Sequence, residues 1–199
     1  METTHRATIY LRTFLAALLM SGGLASIATA EATPFHSDAP GAPIDATRAI
    51  RACETLDSTP PAARPAALED AIALAERAVR RFPEDARAQF ALFCTLGRAL
   101  EQKGASMQSL FTVRRVRHAV QKAIALQPTY VDALVAHGAM LARLPWLMGG
   151  DTERGEALIR HAIGLDPAFL PAYRELAALL HADGRGDQAP LLDVASAAN

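Results

Sequence analysis

Side chains that could hold a metal ion or perform catalysis are scattered along this sequence rather than grouped. The six histidines have no second histidine or carboxylate at a spacing typical of metal ligands; they are His5, His36, His118, His137, His161 and His181. No GxSxG, HExxH or phosphate-loop motif is present, and the two cysteines, Cys53 and Cys94, are too far apart for CxxC redox chemistry. We therefore expect a protein that is not an enzyme and that has neither a metal site nor a cofactor.

Arginines offer a second kind of chemistry, because guanidinium groups bind anionic groups through paired hydrogen bonds. Arg98 and Arg143 fall at the same position when the stretches that begin at Ala86 and Val131 are superposed. This alignment predicts a site for an anionic group. Alternatively, both arginines pair with carboxylates of neighbouring repeats, and the sequence does not decide between the two interpretations. A further basic cluster is interpreted as the solvated face of a helix; it comprises Arg114, Arg115, Arg117 and His118.

These residues lie on predicted helices whose pattern recurs along the chain. The clearest unit spans residues 130–169. Apolar residues return every three or four positions between Val131 and Leu144, which places them on one helical stripe, and Pro145 ends that helix. Asp151 can then cap a second helix that ends at Leu165. The unit is therefore predicted to be a pair of helices folded back on each other.

This unit resembles a tetratricopeptide (TPR) repeat. The small and apolar positions that such a repeat requires fall on Leu134, Gly138, Leu141, Gly155, Ile159 and Ala162. The closing prolines Pro83, Pro128 and Pro167 are 45 and 39 residues apart, against about 34 residues in a regular TPR. The resemblance implies an all-α, TPR-like α-solenoid of antiparallel helix pairs over residues 44–199, with lengthened turns within the repeats.

A TPR-like solenoid also implies a concave groove that is lined by the first helix of each pair. When Ala86, Val131 and Leu170 are treated as equivalent first positions, seven residues are expected to face this groove: Arg87, Phe90, Arg98, Asp132, Arg143, Arg174 and His181. We expect them to bind a protein segment or a small anionic ligand. His137 falls at a helix-packing position of the repeat, where a partly buried, hydrogen-bonded histidine is expected.

The turn of the 130–169 unit carries the single tryptophan of the chain. Trp146, Leu147 and Met148 form an apolar loop tip, which is costly to expose unless it packs on a neighbour or meets a partner. The string LPWLMGGD before a helix, together with the proline-closed pairs, is similar to exported bacterial TPR proteins related to the T-component of tripartite ATP-independent periplasmic (TRAP) transporters. The resemblance implies a protein or peptide partner in the cell envelope. An alternative function is therefore an accessory subunit of a transporter or envelope complex that docks through the Trp146 loop.

The N-terminal residues indicate export. Arg6 and Arg12 precede an apolar run over residues 13–20 and a small-residue end at residues 28–30, a pattern typical of secretory signal peptides. The apolar run is shorter than the roughly 20 residues that span a bilayer. We expect cleavage after residue 30, a flexible leader over residues 31–43 and a periplasmic or secreted protein with no membrane span. The formal charge of −1 gives no concentrated basic face of the kind that binds nucleic acid.

Export would place the two cysteines in an oxidising compartment, where a disulfide can form. If Asp45 starts the first helix, Cys53 and Cys94 occupy equivalent positions of adjacent helices. Packed helices lie about 8 to 10 Å apart, whereas a disulfide requires Cα atoms within about 7 Å. The sequence therefore leaves open whether this pair is bonded.

Overall fold

Helices make up most of the computed structural model, which describes residues 32–103 and 107–189. Among these residues the α-helices are α1 (Ile44–Glu54), α2 (Arg64–Arg81), α3 (Ala86–Lys103), α4 (Met107–Leu126), α5 (Val131–Arg143), α6 (Thr152–Leu165) and α7 (Leu170–Ala182). No strand occurs in this part of the chain, so the predicted all-α, TPR-like class is confirmed. The expected signal peptide, residues 1–30, and the tail from residue 190 onward lie outside the described residues.

The helices stack as antiparallel pairs, α1 with α2, α3 with α4, and α5 with α6, and α7 adds the first helix of a fourth pair. One apolar core joins the first two pairs to the start of α5, through residues that include Ala49, Ala75, Ala91, Val120 and Ala133. A second core joins α5, α6 and α7 through residues that include Leu134, Ile159, Ala162, Leu176 and Leu180. Each pair therefore buries its apolar stripe against the next pair, as a solenoid requires.

Two glycines allow α5 and α6 to cross closely. A Cβ atom added at Gly138 would lie 2.6 Å from the carbonyl oxygen of Gly155, and one added at Gly155 would lie 2.6 Å from that of Gly138.

Asp151 caps α6, because its carboxylate accepts a hydrogen bond of 2.9 Å from the backbone N–H of Arg154. Helix α5 ends before Pro145 and α6 ends at Leu165, as the sequence predicts, and the predicted cap at Asp151 is confirmed.

The extra length of the second and third pairs is distributed differently. In the second pair α3 and α4 have 18 and 20 residues, and residues 104–106 separate them, so most of the added length is helix. In the third pair the turn itself is long, and it contains the single 3₁₀ turn Trp146–Met148, which ends at Gly149 with φ 80°. In the first pair, Pro65 lies in the first turn of α2, where proline is tolerated because the first backbone N–H groups of a helix have no partner within it.

Residues 32–43, which we call the strap, differ from the flexible leader that their composition predicts. Phe35 donates its N–H to the carbonyl of Thr129 and accepts from the N–H of Val131, both at 2.9 Å, and these bonds form a parallel bridge with Tyr130. The Phe35 side chain also packs on the first core. Main-chain hydrogen bonds and a partly buried aromatic ring offset the entropy lost when such a segment is ordered.

A disulfide joins Cys53 of α1 to Cys94 of α3. The two Cα atoms are 6.2 Å apart, which is within bridging range even though packed helix axes are usually about 8 to 10 Å apart. The pairing that the sequence left open is therefore present, and it links the first helix pair to the second.

Candidate functional site

A cleft of about 710 Å³ runs along the first helices of successive pairs. Helices α3, α5 and α7 line it, together with the early part of α4 and the end of α1. Its apolar walls include Phe90, Phe93, Leu100, Val113, Val116, Val135, Ala136, Met140, Leu144 and Phe169. Its charged residues are Glu54, Arg98, Glu101, Asp132, Arg143, Arg174 and Glu175. A cleft of this volume, with mostly apolar walls and a few charged groups, is typical of binding sites.

Superposition of the repeats predicted most of the charged residues that the cleft contains. Helices α3, α5 and α7 begin at the three residues that were superposed in the sequence. Residues at equal positions of similarly oriented helices face the same side. Five of the seven expected groove residues line the cleft: Phe90, Arg98, Asp132, Arg143 and Arg174. The other two do not, because Arg87 lies beneath the strap and His181 packs against Gly186 in the turn after α7.

The two aligned arginines are both paired with carboxylates. Arg98 forms an ion pair with Asp57, which follows α1, and a second one with Glu101 at 3.0 Å. Arg143 pairs with Glu175 of α7 at 2.6 Å. Each arginine thus connects one repeat to another, which is the alternative that the sequence left open. An anionic ligand would have to compete with these carboxylates.

Asp132 and Arg87 are held by the strap. The N–H of Ser37 donates to Oδ2 of Asp132 at 3.2 Å, and Nδ1 of His36 lies 3.3 Å from the same oxygen. Burial raises the pKa of the Asp132 carboxyl, and the neighbouring His36 partly opposes this effect. Arg87 is 7% exposed and donates to the carbonyl of Ala39 at 2.8 Å. Asp132 therefore lines the cleft with its carboxylate already bound by the strap, and Arg87 lies beneath the strap instead of facing an open groove.

Two other charged side chains line the cleft and have no ion pair within the described residues. Glu54 lies at the end of α1, where burial raises the pKa of its carboxyl and the negative charge of Asp132 raises it further. Arg174 is exposed on α7. The cleft thus offers a carboxylate that can bind a cationic group and a guanidinium that can bind an anionic group.

The apolar loop after α5 is held in place while its tip faces solvent. Trp146 and Leu147 are 79% and 77% exposed. The carbonyl of Pro145 accepts from the N–H of Met148 at 2.8 Å, and the Arg117 guanidinium of α4 donates to the carbonyl of Met148. The backbone of the loop is therefore fixed by the protein, whereas most of its apolar surface remains in water.

His137 is buried in the third pair, with 3% of its surface exposed. Burial lowers its pKa to about 4, and the positive charges of Arg154 and Arg117 act in the same direction. The burial agrees with the expected packing role. The expected hydrogen bond is absent at Nε2, which has no partner in the part of the chain that the structure describes.

The other residues with possible chemistry stay dispersed. Arg115 pairs with Glu76 of α2 at 3.0 Å, and Arg114 and His118 are exposed on α4, as expected of a solvated helix face. Across residues 32–103 and 107–189, no group of three or more histidine, cysteine, aspartate or glutamate side chains is arranged to hold a metal ion. In the same ranges, no helix is both long enough and apolar enough to cross a membrane.

Comparison of this chain with known proteins finds a similarity of fold alone. No family model matches the chain, and no curated protein matches it. A crystal structure of MamA is 20% identical, with 73% of this chain and 72% of that chain covered and a TM-score of 0.48. A mutant of MamA is 15% identical, with 77% and 76% covered and a TM-score of 0.47. These values are too low to carry an inference about function, so the functional argument below rests on the cleft itself.

The strap contacts were missed by the sequence prediction, although a weak signal was present. Phe35 is the single aromatic residue and His36 the single basic residue of the stretch 31–43, which otherwise contains small, acidic and proline residues. Their partners could not be found in the same way. Asp132 and Asp166 lie in or beside turns between pairs, and only the folded solenoid brings them to one place.

Proposed function

We propose that this chain is a non-enzymatic, TPR-like scaffold that binds a segment of another protein in the cleft between α3, α5 and α7. The observation that carries the proposal is the apolar-walled cleft of about 710 Å³ that successive repeats build together. A solenoid holds side chains from consecutive pairs at a fixed spacing, so that recognition requires no moving part.

The charges of the cleft support a protein segment rather than a small anionic ligand. Arg98 and Arg143 are already paired with carboxylates of the protein. A small anion would gain little free energy by displacing those carboxylates. The apolar walls can instead bury apolar side chains of a peptide, which is the usual source of affinity when a helix or extended segment lies in a groove. Glu54 and Arg174 remain to pair with charges on such a segment.

Peptides selected from a random library for binding to the full chain would test the cleft. Ala136→Arg places a long charged side chain in the cleft, and Ala157→Arg places the same side chain on an exposed position of α6. We expect the first change to weaken peptide binding by at least about tenfold, or about 1.4 kcal/mol, and the second to leave it unchanged. Titration calorimetry on both variants decides the point, since equal affinities would contradict a site in the cleft.

The exposed Trp146 loop supports a second candidate function, in which the chain is an accessory subunit of a transporter or envelope complex. A fixed loop that presents apolar side chains to water is preorganised for docking, because little further ordering is needed on binding. Trp146→Ser should then abolish binding to a partner subunit recovered from the cell envelope. Phe111→Ser removes an apolar side chain of similar exposure from α4 and should leave that binding intact.

We also propose that the chain is exported, with residues 1–30 removed and Glu31 as the first residue. The signal-like N-terminal sequence supports this proposal, and so does the Cys53 to Cys94 disulfide, since such bonds persist in oxidising compartments. N-terminal sequencing of protein from the producing cell should begin at Glu31. A soluble cytoplasmic pool that retains Met1 and two free thiols would contradict export.

A further inference from the structure

The strap is bound to the rest of the molecule in the way that a protein binds a peptide ligand. Its backbone pairs with residues 129–131 through two hydrogen bonds of 2.9 Å, which recognise an extended main chain whatever its side chains are. The Arg87 guanidinium adds two donors, to the carbonyl of Ala39 at 2.8 Å and to that of Pro40 at 3.2 Å. These contacts fix the direction and position of the strap.

An aromatic side chain of the strap is recognised separately. The Phe35 ring meets the Tyr130 ring edge to face, with centroids 5.1 Å apart, and the Arg87 guanidinium lies 5.2 Å from the Phe35 centroid. Tyr130 is fully buried, and its hydroxyl is hydrogen-bonded to Oγ of Ser37 at 2.8 Å. The surroundings of Phe35 are therefore specific for a flat aromatic ring with a small hydroxyl residue two positions later.

The next residue, His36, is held between two carboxylates of the third helix pair, one in α5 and one just after α6. Its Nδ1 lies 3.3 Å from Asp132 and its Nε2 lies 2.9 Å from Asp166. A side chain at this point must present nitrogen atoms in two opposite directions, as imidazole and guanidinium groups do. Its ring also lies against Phe169, with centroids 5.2 Å apart.

We propose that this strap-binding face, formed by Arg87, Thr129, Tyr130, Val131, Asp132 and Asp166, is a peptide-recognition site that the chain's own strap occupies at rest. The partner it fits is a protein segment in extended conformation that carries an aromatic residue followed directly by histidine or arginine. Such a segment reproduces the bridge, the aromatic contact and the double carboxylate contact, and it replaces the strap.

The strap can leave this face without the loss of a helix. It contains no helical turn, and it joins α1 through a turn in which Gly41 has φ 82°. The face shares Asp132 with the cleft, whereas Arg87 and Asp166 belong to the face and do not line the cleft. Substitution of Asp166 therefore tests the face, and substitution of Ala136 tests the cleft.

The test uses the full chain and a labelled peptide with the sequence of residues 32–43, ATPFHSDAPGAP. The double substitution Phe35→Ala and His36→Ala removes the strap's anchors, whereas Thr33→Ala and Asp38→Ala change exposed strap residues as a matched control. An attached strap competes at an effective concentration in the millimolar range. We expect the peptide to bind the anchor variant at least about tenfold more tightly than the wild type or the control. Adding Asp166→Asn, or replacing the peptide's histidine by alanine, should weaken this binding several-fold, whereas Ala136→Arg in the cleft should not affect it.

Two results would overturn the proposal. One is a folded anchor variant, with wild-type helicity by circular dichroism, that does not bind the peptide at concentrations up to about 1 mM. The other is equal peptide affinity in wild type, anchor variant and control, since the strap would then not occupy the site. If the anchor variant unfolds, a wild-type chain with a protease site inserted after Gly41 is cut instead. The cut strap should then be released by excess strap peptide but not by the alanine-substituted peptide, and release by neither peptide would also overturn the proposal.

Discussion

His137 is a residue whose burial has a direct consequence for the pH dependence of stability. Its pKa is about 4 in the folded protein, against about 6.5 in an unfolded chain. The unfolded chain therefore binds the proton at a higher pH than the folded one does. The contribution of His137 to the free energy of unfolding is fully present above about pH 6.5, and it is lost as the pH falls from there to about 4. The expected loss is about 1 to 3 kcal/mol.

Urea unfolding of wild type and two variants at about pH 7.5 and pH 4.5 measures this contribution. His137→Gln should lose less stability between the two pH values than the wild type does. His161→Gln changes an exposed histidine of α6 and should behave as the wild type. If all three proteins lose the same amount, the buried histidine is not responsible for the acid sensitivity.

Arg98 and Arg143 occupy equal positions but differ in exposure, and this difference predicts unequal effects on stability. The Arg98 side chain is 25% exposed and has two carboxylate partners, whereas Arg143 is 64% exposed and has one. We expect Arg98→Gln to lower the free energy of unfolding by about 1 kcal/mol and Arg143→Gln by less than about 0.5 kcal/mol. Chemical denaturation of both variants is the measurement. Unchanged stability in both, with weaker ligand binding, would instead support the anion-binding interpretation.

At the scale of elements, the crossing of α5 and α6 depends on the absence of side chains. Gly138→Ala would place a methyl group 2.6 Å from the carbonyl oxygen of Gly155, so the two helices would have to separate. We expect the free energy of unfolding to fall by about 3 kcal/mol, at the upper end of overpacking effects. Gly164→Ala is the control, because the same methyl group on α6 meets nothing within 4 Å.

The control variant should change stability in the opposite direction. Alanine is favoured over glycine in a helix interior by about 0.5 to 1 kcal/mol, so Gly164→Ala should raise the thermal midpoint while Gly138→Ala lowers it. A similar small rise in both variants would show that the helices adjust to a methyl group at no cost.

The bounds of the helices could be predicted where proline or a capping residue sets them. Helix α5 ends before Pro145 as predicted, α7 begins at the superposed Leu170, and Asp151 caps α6 as expected. In the long second pair most of the added length is helix, because nothing between Ala86 and Lys103 interrupts the helical hydrogen bonds. The spacing between prolines alone does not distinguish a longer helix from a longer turn.

At the scale of the whole molecule, the disulfide links the first pair to the second across 41 positions of the sequence. Its removal should lower the free energy of unfolding by about 2 to 4 kcal/mol, since the unfolded chain regains the freedom of a closed loop. Guanidinium unfolding with and without a reductant measures the effect. A variant with Cys53→Ala and Cys94→Ala should not respond to the reductant, and a wild type that also fails to respond would contradict a bonded pair.

The candidate site could be predicted only as far as the repeats are regular. Phe90, Arg98 and Arg143 line the cleft because their helices are superposable, so position in the helix determined position in the cleft. His181 departs from this rule because α7 is followed by a turn at Gly186, against which its ring packs. The strap was missed for a different reason, since an irregular segment has no period and its partners are distant in the sequence.

The exposed position of Trp146 makes this loop a natural optical probe. The chain has one tryptophan, so its intrinsic fluorescence at long excitation wavelengths comes from the tip of the loop after α5 and from nowhere in the core. The emission of the folded protein should resemble that of tryptophan in water, and it should change little when the helices unfold. A shift of the emission to shorter wavelength on addition of a partner would therefore report burial of this loop, without any label attached to the protein.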